Sequence, residues 1–150
     1  MRDIPANIIR ERRDSLIVLK EKKSKITLLN PQKRLYKEVK VDGDLYAITE
    51  TKVKKCDYLE IGKETLDAFF IELKGIDIDT AYQQLLASTT NINVGDVKKK
   101  VAIAVTPHIP KANVKFQKYK KLCQKHGTEL IVKNSGSTYD LNKELCNIVN

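Results

Sequence analysis

The stretch Cys56–Gly75, CDYLEIGKETLDAFFIELKG, decides how this chain is read. Two runs rich in aromatic and β-branched residues flank Lys63 and Glu64, the pattern of an antiparallel hairpin. The second run, FFIELKG, nevertheless carries Glu72 and Lys74 just before a glycine. Charged side chains are rarely buried unless they are paired or bound to a metal, so either this strand has a wet face or the two residues do chemistry. A bend centred between Glu64 and Thr65 sets Asp57 opposite Glu72, Leu59 opposite Phe70 and Ile61 near Ala68. Directly opposed side chains share one face, with Cβ atoms about 4.5–5.5 Å apart. The register therefore brings two carboxylates face to face, and Lys74, two positions beyond Glu72, falls on the same side. Like charges opposed across a sheet repel, and a divalent cation between them would offset that repulsion.

Outward from the hairpin, RLYKEVKVDGDLYAITE (Arg34–Glu50) reads as two strands around Asp42-Gly43, a dipeptide suited to a tight turn. In the first thirty residues Ile8, Ile9, Leu16, Ile17 and Leu19 have partial helical spacing, broken by RERRD and KEKKSK, and a short helix is expected. After Gly75 the period changes. IDIDTAYQQLLASTT repeats Tyr82, Leu85, Leu86 and Thr89 at helical spacing behind a cap at Asp77 or Asp79. VAIAVTP (Val101–Pro107) has the unbroken apolar character of a strand covered on both faces. ANVKFQKYKKLCQKHG predicts a helix with Phe116, Tyr119 and Cys123 inward, stopping at Gly127. TELIVKNSG then reads as a strand and LNKELCNIV as a closing helix. The order implies one domain, residues 1–150, of α/β (α+β) class: a mixed sheet with helices packed on it.

Composition narrows the partners. The 28 Lys and Arg against 19 Asp and Glu leave a net charge of +9, which favours polyanions, although a lysine-rich surface has the same composition. Cys56, Cys123 and Cys146 are odd in number and widely spaced, fitting neither a disulfide framework nor a CxxC zinc site. The N-terminus lacks an apolar signal core and no run approaches the roughly 18 apolar residues of a membrane helix. A soluble, cytoplasmic protein is expected, with no membrane partner.

The chemistry suited to Asp57, Glu72 and Lys74 is metal-assisted hydrolysis of a phosphodiester. Two carboxylates are hard oxygen donors for Mg²⁺, with Mn²⁺ as a substitute, and this ion keeps waters and substrate phosphate as further ligands. Lys74 would orient the attacking water or stabilise developing charge. CDYLEIG followed by FFIELKG resembles the PD-(D/E)XK nuclease superfamily over roughly Lys54 to Pro107, and Asp57, Glu72 and Lys74 match its three signature positions. The resemblance implies a restriction-endonuclease-like mixed β-sheet flanked by helices, with core α-β-β-β-α-β. It also implies a polar contribution from the following helix, Gln84 first and Gln83 second, and a further acid from the first helix, for which Glu11, Glu21 and Glu38 are candidates. Cys56 stands where the proline of the pattern would be. A second acid-x-lysine, Glu38-Val39-Lys40, lies in a segment polar enough to be an ordinary exposed strand.

Lys115, Lys118, Lys121 and Lys125 line one side of the second predicted helix, placed for contacts with a phosphate backbone, and Lys98–Lys100 precede the apolar strand. His108 and His126 lack metal-site spacing. DNA is the leading substrate. An RNA-cleaving, tRNA-directed toxin-type nuclease and a catalytically inactive nucleic-acid-binding protein of the same fold remain as alternatives. A homodimer would let two sites cut both strands of a duplex, although no segment marks an interface.

Overall fold

The computed structural model describes residues 1–73, 77–108 and 114–143. A six-stranded sheet forms the middle layer, built from β1 (Ile9–Arg12), β4 (Tyr36–Lys40), β5 (Tyr58–Gly62), β6 (Asp67–Leu73), β7 (Lys99–Thr106) and β8 (Thr128–Asn134), side by side in that order. The strands from β1 to β6 pair antiparallel, whereas β6, β7 and β8 are mutually parallel. Parallel neighbours need crossovers, and these are α1 (Ile78–Asn91) and α2 (Val114–Lys125). A smaller sheet of β2 (Leu16–Glu21), β3 (Ser24–Leu29) and β9 (Thr138–Asp140) forms a third layer.

Two cores result. Leu59, Phe70, Ala102 and Ala104 meet Tyr82 and Leu85 of α1 and Tyr119 and Cys123 of α2 on one face of the large sheet. On the other face Phe69, Ile71, Ile103 and Val105 meet Ile17, Leu19, Ile26 and Leu28 of the small sheet. Strand β6 is consequently buried at every position, which explains why FFIEL shows no polar alternation. Asp77 caps α1 by accepting from the Thr80 backbone N–H at 3.2 Å, and Gly127, at φ +67°, follows α2.

The expected mixed sheet with packed helices is present, and both described helices lie on one face of it. Two local expectations need correction. The short N-terminal helix is replaced by a single 3-10 turn, Ala6–Ile8, and by strands β1, β2 and β3, so no helix precedes the strand meander among the described residues. Ile17, Leu19, Ile26 and Leu28 point inward and Leu16, Val18, Lys20 and Lys25 outward, a period of two that KEKKSK conceals because Lys22 and Lys23 form the turn itself. The hairpin expected at Asp42-Gly43 also has no second strand. The chain turns back at once, with the Tyr46 N–H on the Val41 carbonyl at 2.9 Å, and Arg2 holds the following loop through the Tyr46 ring and a 3.1 Å ion pair to Glu50. The closing helix expected over 141–149 falls on residues outside the described ones from 144 onward.

Gly62, at the end of β5, pairs with Tyr36 and packs beneath the β5–β6 turn. A Cβ there would overlap the Thr65 hydroxyl and the Asp67 carboxylate and would approach the Tyr36 ring to 3.0 Å. Gly62→Ala is expected to destabilise the fold by about 1–3 kcal/mol through overpacking. Urea unfolding checks this, and an unchanged midpoint would contradict the packing described.

Candidate functional site

The β5–β6 hairpin has the register read from the sequence: Leu59 pairs with Phe70 and Ile61 with Ala68. Continued past Tyr58–Ile71, the same register aligns Asp57 with Glu72 on the helix-covered face. Asp57 is tightly held. Its N–H donates to the Ile71 carbonyl at 3.0 Å, its carbonyl accepts from the Val41 N–H at 2.9 Å, and its Oδ2 accepts from the Leu73 N–H at 2.7 Å. Main-chain bonds to two neighbouring strands thus fix both its backbone and its carboxylate.

Glu72 is only 2% exposed. Burial pushes the Asp57 carboxyl up to about 6, and the charges of Glu21 and Asp42 add to that rise. The Leu73 N–H and the neighbouring Glu72 carboxyl oppose it. Burial thus favours the protonated form of Asp57, and a metal ion between the two facing carboxyl groups would offset the same loss of hydration. The neighbouring Cys56 thiol is buried and pushed far up, by burial first and then despite its Ser88 contact, by the charges of Glu72 and Asp57.

Among the candidates for a further acid, Glu21 is the one whose charge reaches Asp57; it ends β2 at the tip of the hairpin that covers the other side of the large sheet. Asp42, in the turn after β4, acts on Asp57 as well and was not singled out from the sequence. Glu11 is exposed on β1. Glu38 is directly opposite Glu60, making a second facing pair of acids. That pair is different in kind: Arg12 bonds Glu38 at 3.0 Å, and Glu60 is fully enclosed, with burial foremost among the causes that raise its carboxyl well above the ordinary range. A cation lies on Glu38, whereas burial favours the protonated form of Glu60, whose two carboxyl oxygens are buried without a hydrogen-bond partner among the described residues.

Lys74 lies outside the described residues. Gln84 is half-buried on α1, one turn before Ser88, whose hydroxyl accepts from the Cys56 N–H at 2.8 Å. The Gln84 amide oxygen is buried without a hydrogen-bond partner, and among the described residues Gln84 makes no hydrogen bond to either acid. Gln83 is instead bonded to Asp79 at 3.0 Å. Lys115, Lys118, Lys121 and Lys125 are all exposed on α2, and the charge of Lys115 reaches Asp77 at the start of α1.

As a donor set, Asp57 and Glu72 supply two hard carboxylates. No group of three or more His, Cys, Asp and Glu able to hold a metal occurs among the described residues. Two carboxylates fit Mg²⁺, which completes its shell with water and phosphate, but not a closed zinc or calcium cage. Also among the described residues, no helix is long and apolar enough to cross a membrane.

A folded-state value of about 6 for Asp57, against about 3.9 unfolded, means that the folded chain holds a proton the unfolded chain has released between those values. Stability tied to Asp57 is therefore present at low pH and lost as pH rises through 6. Asp57→Asn keeps an acceptor for Leu73 and removes the charge, so it should exceed the parent by about 1–2 kcal/mol at pH 8, after allowance for partial exposure, and match it near pH 4. Urea unfolding in chelator at both pH values measures this; an Asn variant less stable at high pH would contradict it. No family model matches the chain, and neither does any curated protein or solved structure.

Proposed function

We propose that the Asp57–Glu72 pair is the centre of a metal-dependent nuclease of PD-(D/E)XK type that hydrolyses phosphodiester bonds, with DNA as the substrate. The observation that carries this reading is the convergence of the two carboxyl groups at the end of β6, with the charges of Glu21 and Asp42 added. Glu21 and Asp42 add their negative charge at Asp57, and a cation beside the pair would offset it. The order β4, β5, β6, α1, β7 supports a restriction-endonuclease-like reading of the sheet, since it follows the β-β-β-α-β part of that core.

Each residue has a defined task. Asp57, clamped by the Leu73 N–H, presents its other oxygen in a fixed direction, and Glu72 presents a carboxylate from the facing strand. Together they would hold Mg²⁺, which when bound polarises a phosphoryl oxygen and acidifies a water. Lys74 is assigned by its sequence position to orient that water and to stabilise charge on the phosphate. Gln84, with an unpartnered buried amide oxygen, is the candidate for positioning a water or the substrate from α1.

Incubation of the purified chain with plasmid DNA and, separately, total RNA in Mg²⁺ or Mn²⁺ tests the reading. Cleavage of DNA is expected, abolished by chelator and reduced at least about 100-fold by Asp57→Asn, Glu72→Gln or Lys74→Ala. Cleavage of RNA alone would move the substrate to the RNA alternative. Turnover that survives in all three variants would remove these residues from the reaction.

A further inference from the structure

A second polar feature lies at the opposite end of the large sheet. The segment leading into β7, the first residues of β8 and the C-terminal half of α2 enclose an open cavity of about 520 Å³, lined by Lys98, Lys99, Lys100, Lys120, Gln124 and Glu129 among others. Four lysines thus converge on one concavity against a single carboxylate. Among the described residues, Lys98, Lys100 and Lys120 form no ion pair. Helix α2 supplies no acid to balance them: between Val114 and Lys125 it carries five lysines and neither Asp nor Glu. Lysines brought together at this density repel one another, and an anion in the concavity would relieve that repulsion.

Geometry links this cavity to the acid pair. Glu72 pairs with Ala104 on β7, and Lys100 lies four residues earlier on that strand and on the same face. At roughly 3.3 Å per residue the separation is about 13 Å. A duplex rises about 3.4 Å per base pair, so this is about four base steps. The exposed lysines of α2 run between the two ends, because α2 starts beside α1 at the acid end and finishes at the cavity.

We propose that this lysine cavity binds the sugar–phosphate backbone of a nucleic acid and holds it with the phosphate about four steps away at the acid pair. The choice of a nucleic acid over a smaller phosphate rests on the nuclease reading of Asp57 and Glu72; the binding itself requires no metal and no turnover. The lysines act as point charges on phosphate oxygens, so they position the backbone without reading bases. Lys98, Lys100 and Lys120 are thus binding residues, distinct from the α2 stripe of Lys115, Lys118, Lys121 and Lys125.

Fluorescence anisotropy in chelator, with a labelled duplex of about 20 base pairs over a salt series, tests the proposal independently of cleavage. Lys98→Glu combined with Lys120→Glu should weaken binding at least about tenfold near 0.1 M salt and make the salt dependence shallower by about two. Lys52→Glu combined with Lys63→Glu changes net charge equally at exposed positions away from the cavity and should leave the affinity within about twofold of the parent. Circular dichroism confirms that each variant is folded, and Lys98→Gln with Lys120→Gln replaces the glutamate pair if that pair is not. Equal losses in the cavity and control pairs, or no loss in the cavity pair, would overturn the assignment. So would tripolyphosphate binding by a parent chain that has no affinity for the duplex. Failure of the cleavage assay with this binding pattern intact would strike only the nuclease reading.

Discussion

Helices enclose β6 from one side and the small sheet encloses it from the other, so no residue from Asp67 to Leu73 has ready access to bulk water. A carboxylate placed in such a strand loses its hydration, and the energy at stake is several kcal/mol unless protons, cations or hydrogen bonds replace the water. Glu72 occupies that position, and its surroundings follow from it. Asp57 is drawn to the end of β6 by the Leu73 N–H, the two carboxyl groups face each other across the strands, and burial raises the Asp57 carboxyl to about 6. Both the antiparallel register of β5 on β6 and the parallel register of β7 are needed to keep this end of the sheet closed.

The same sheet holds a second pair of opposed acids, and the contrast separates structural from reactive use. Glu38 and Glu60 face each other across β4 and β5, but Arg12 lies on Glu38 at 3.0 Å, with Arg10 at 4.0 Å, and Glu60 is wholly enclosed. Cations contributed by β1 therefore balance Glu38 within the protein. At Asp57, among the described residues, the charges of two further acids, Glu21 and Asp42, raise the carboxyl. Two pairs of opposed carboxyl groups thus differ in their described neighbours: arginines of β1 lie on one, and the charges of two further acids act on the other.

The hairpin was legible in the sequence because its information is local: two apolar runs, one short connection, and a pairing sum that fixes every opposed residue at once. The two helices and the buried strand between them were legible for the same reason, through period, cap and stop. The N-terminal third was not. The β2–β3 turn uses Lys22, at φ +52°, where glycine or asparagine would have announced a tight hairpin, and the flanking lysines hide the alternation of Ile17, Leu19, Ile26 and Leu28. Strand β9 is three residues long and joins β3 in parallel from more than a hundred residues away, a pairing with no local signature. Glu21 and Asp42 were obscured likewise, because their approach to Asp57 depends on how the small sheet and the β4 turn fold over the end of β5. Conversely, Asp42-Gly43 carries a strong hairpin signal, but Arg2 captures Tyr46 and Glu50 and holds the chain in a loop.

The parallel half of the sheet also makes its two ends electrically different. A crossover between parallel strands runs opposite to them, so α1 and α2 both begin at the end where β6 and β7 finish and where Glu72 lies. Helix N-termini carry partial positive charge, and the ends of strands beside a parallel crossover are the usual place for an anionic ligand in open α/β sheets. The acid pair therefore lies in a setting that favours both the carboxylates and an approaching phosphate. At the other end the helices finish with partial negative charge, which stabilises the lysines gathered there, Lys120 and Lys125 among them. The fold thus separates the acids from most of the lysines that would otherwise neutralise them in direct ion pairs. A polyanion spanning both ends would meet lysines along its backbone and the two carboxyl groups at one phosphate.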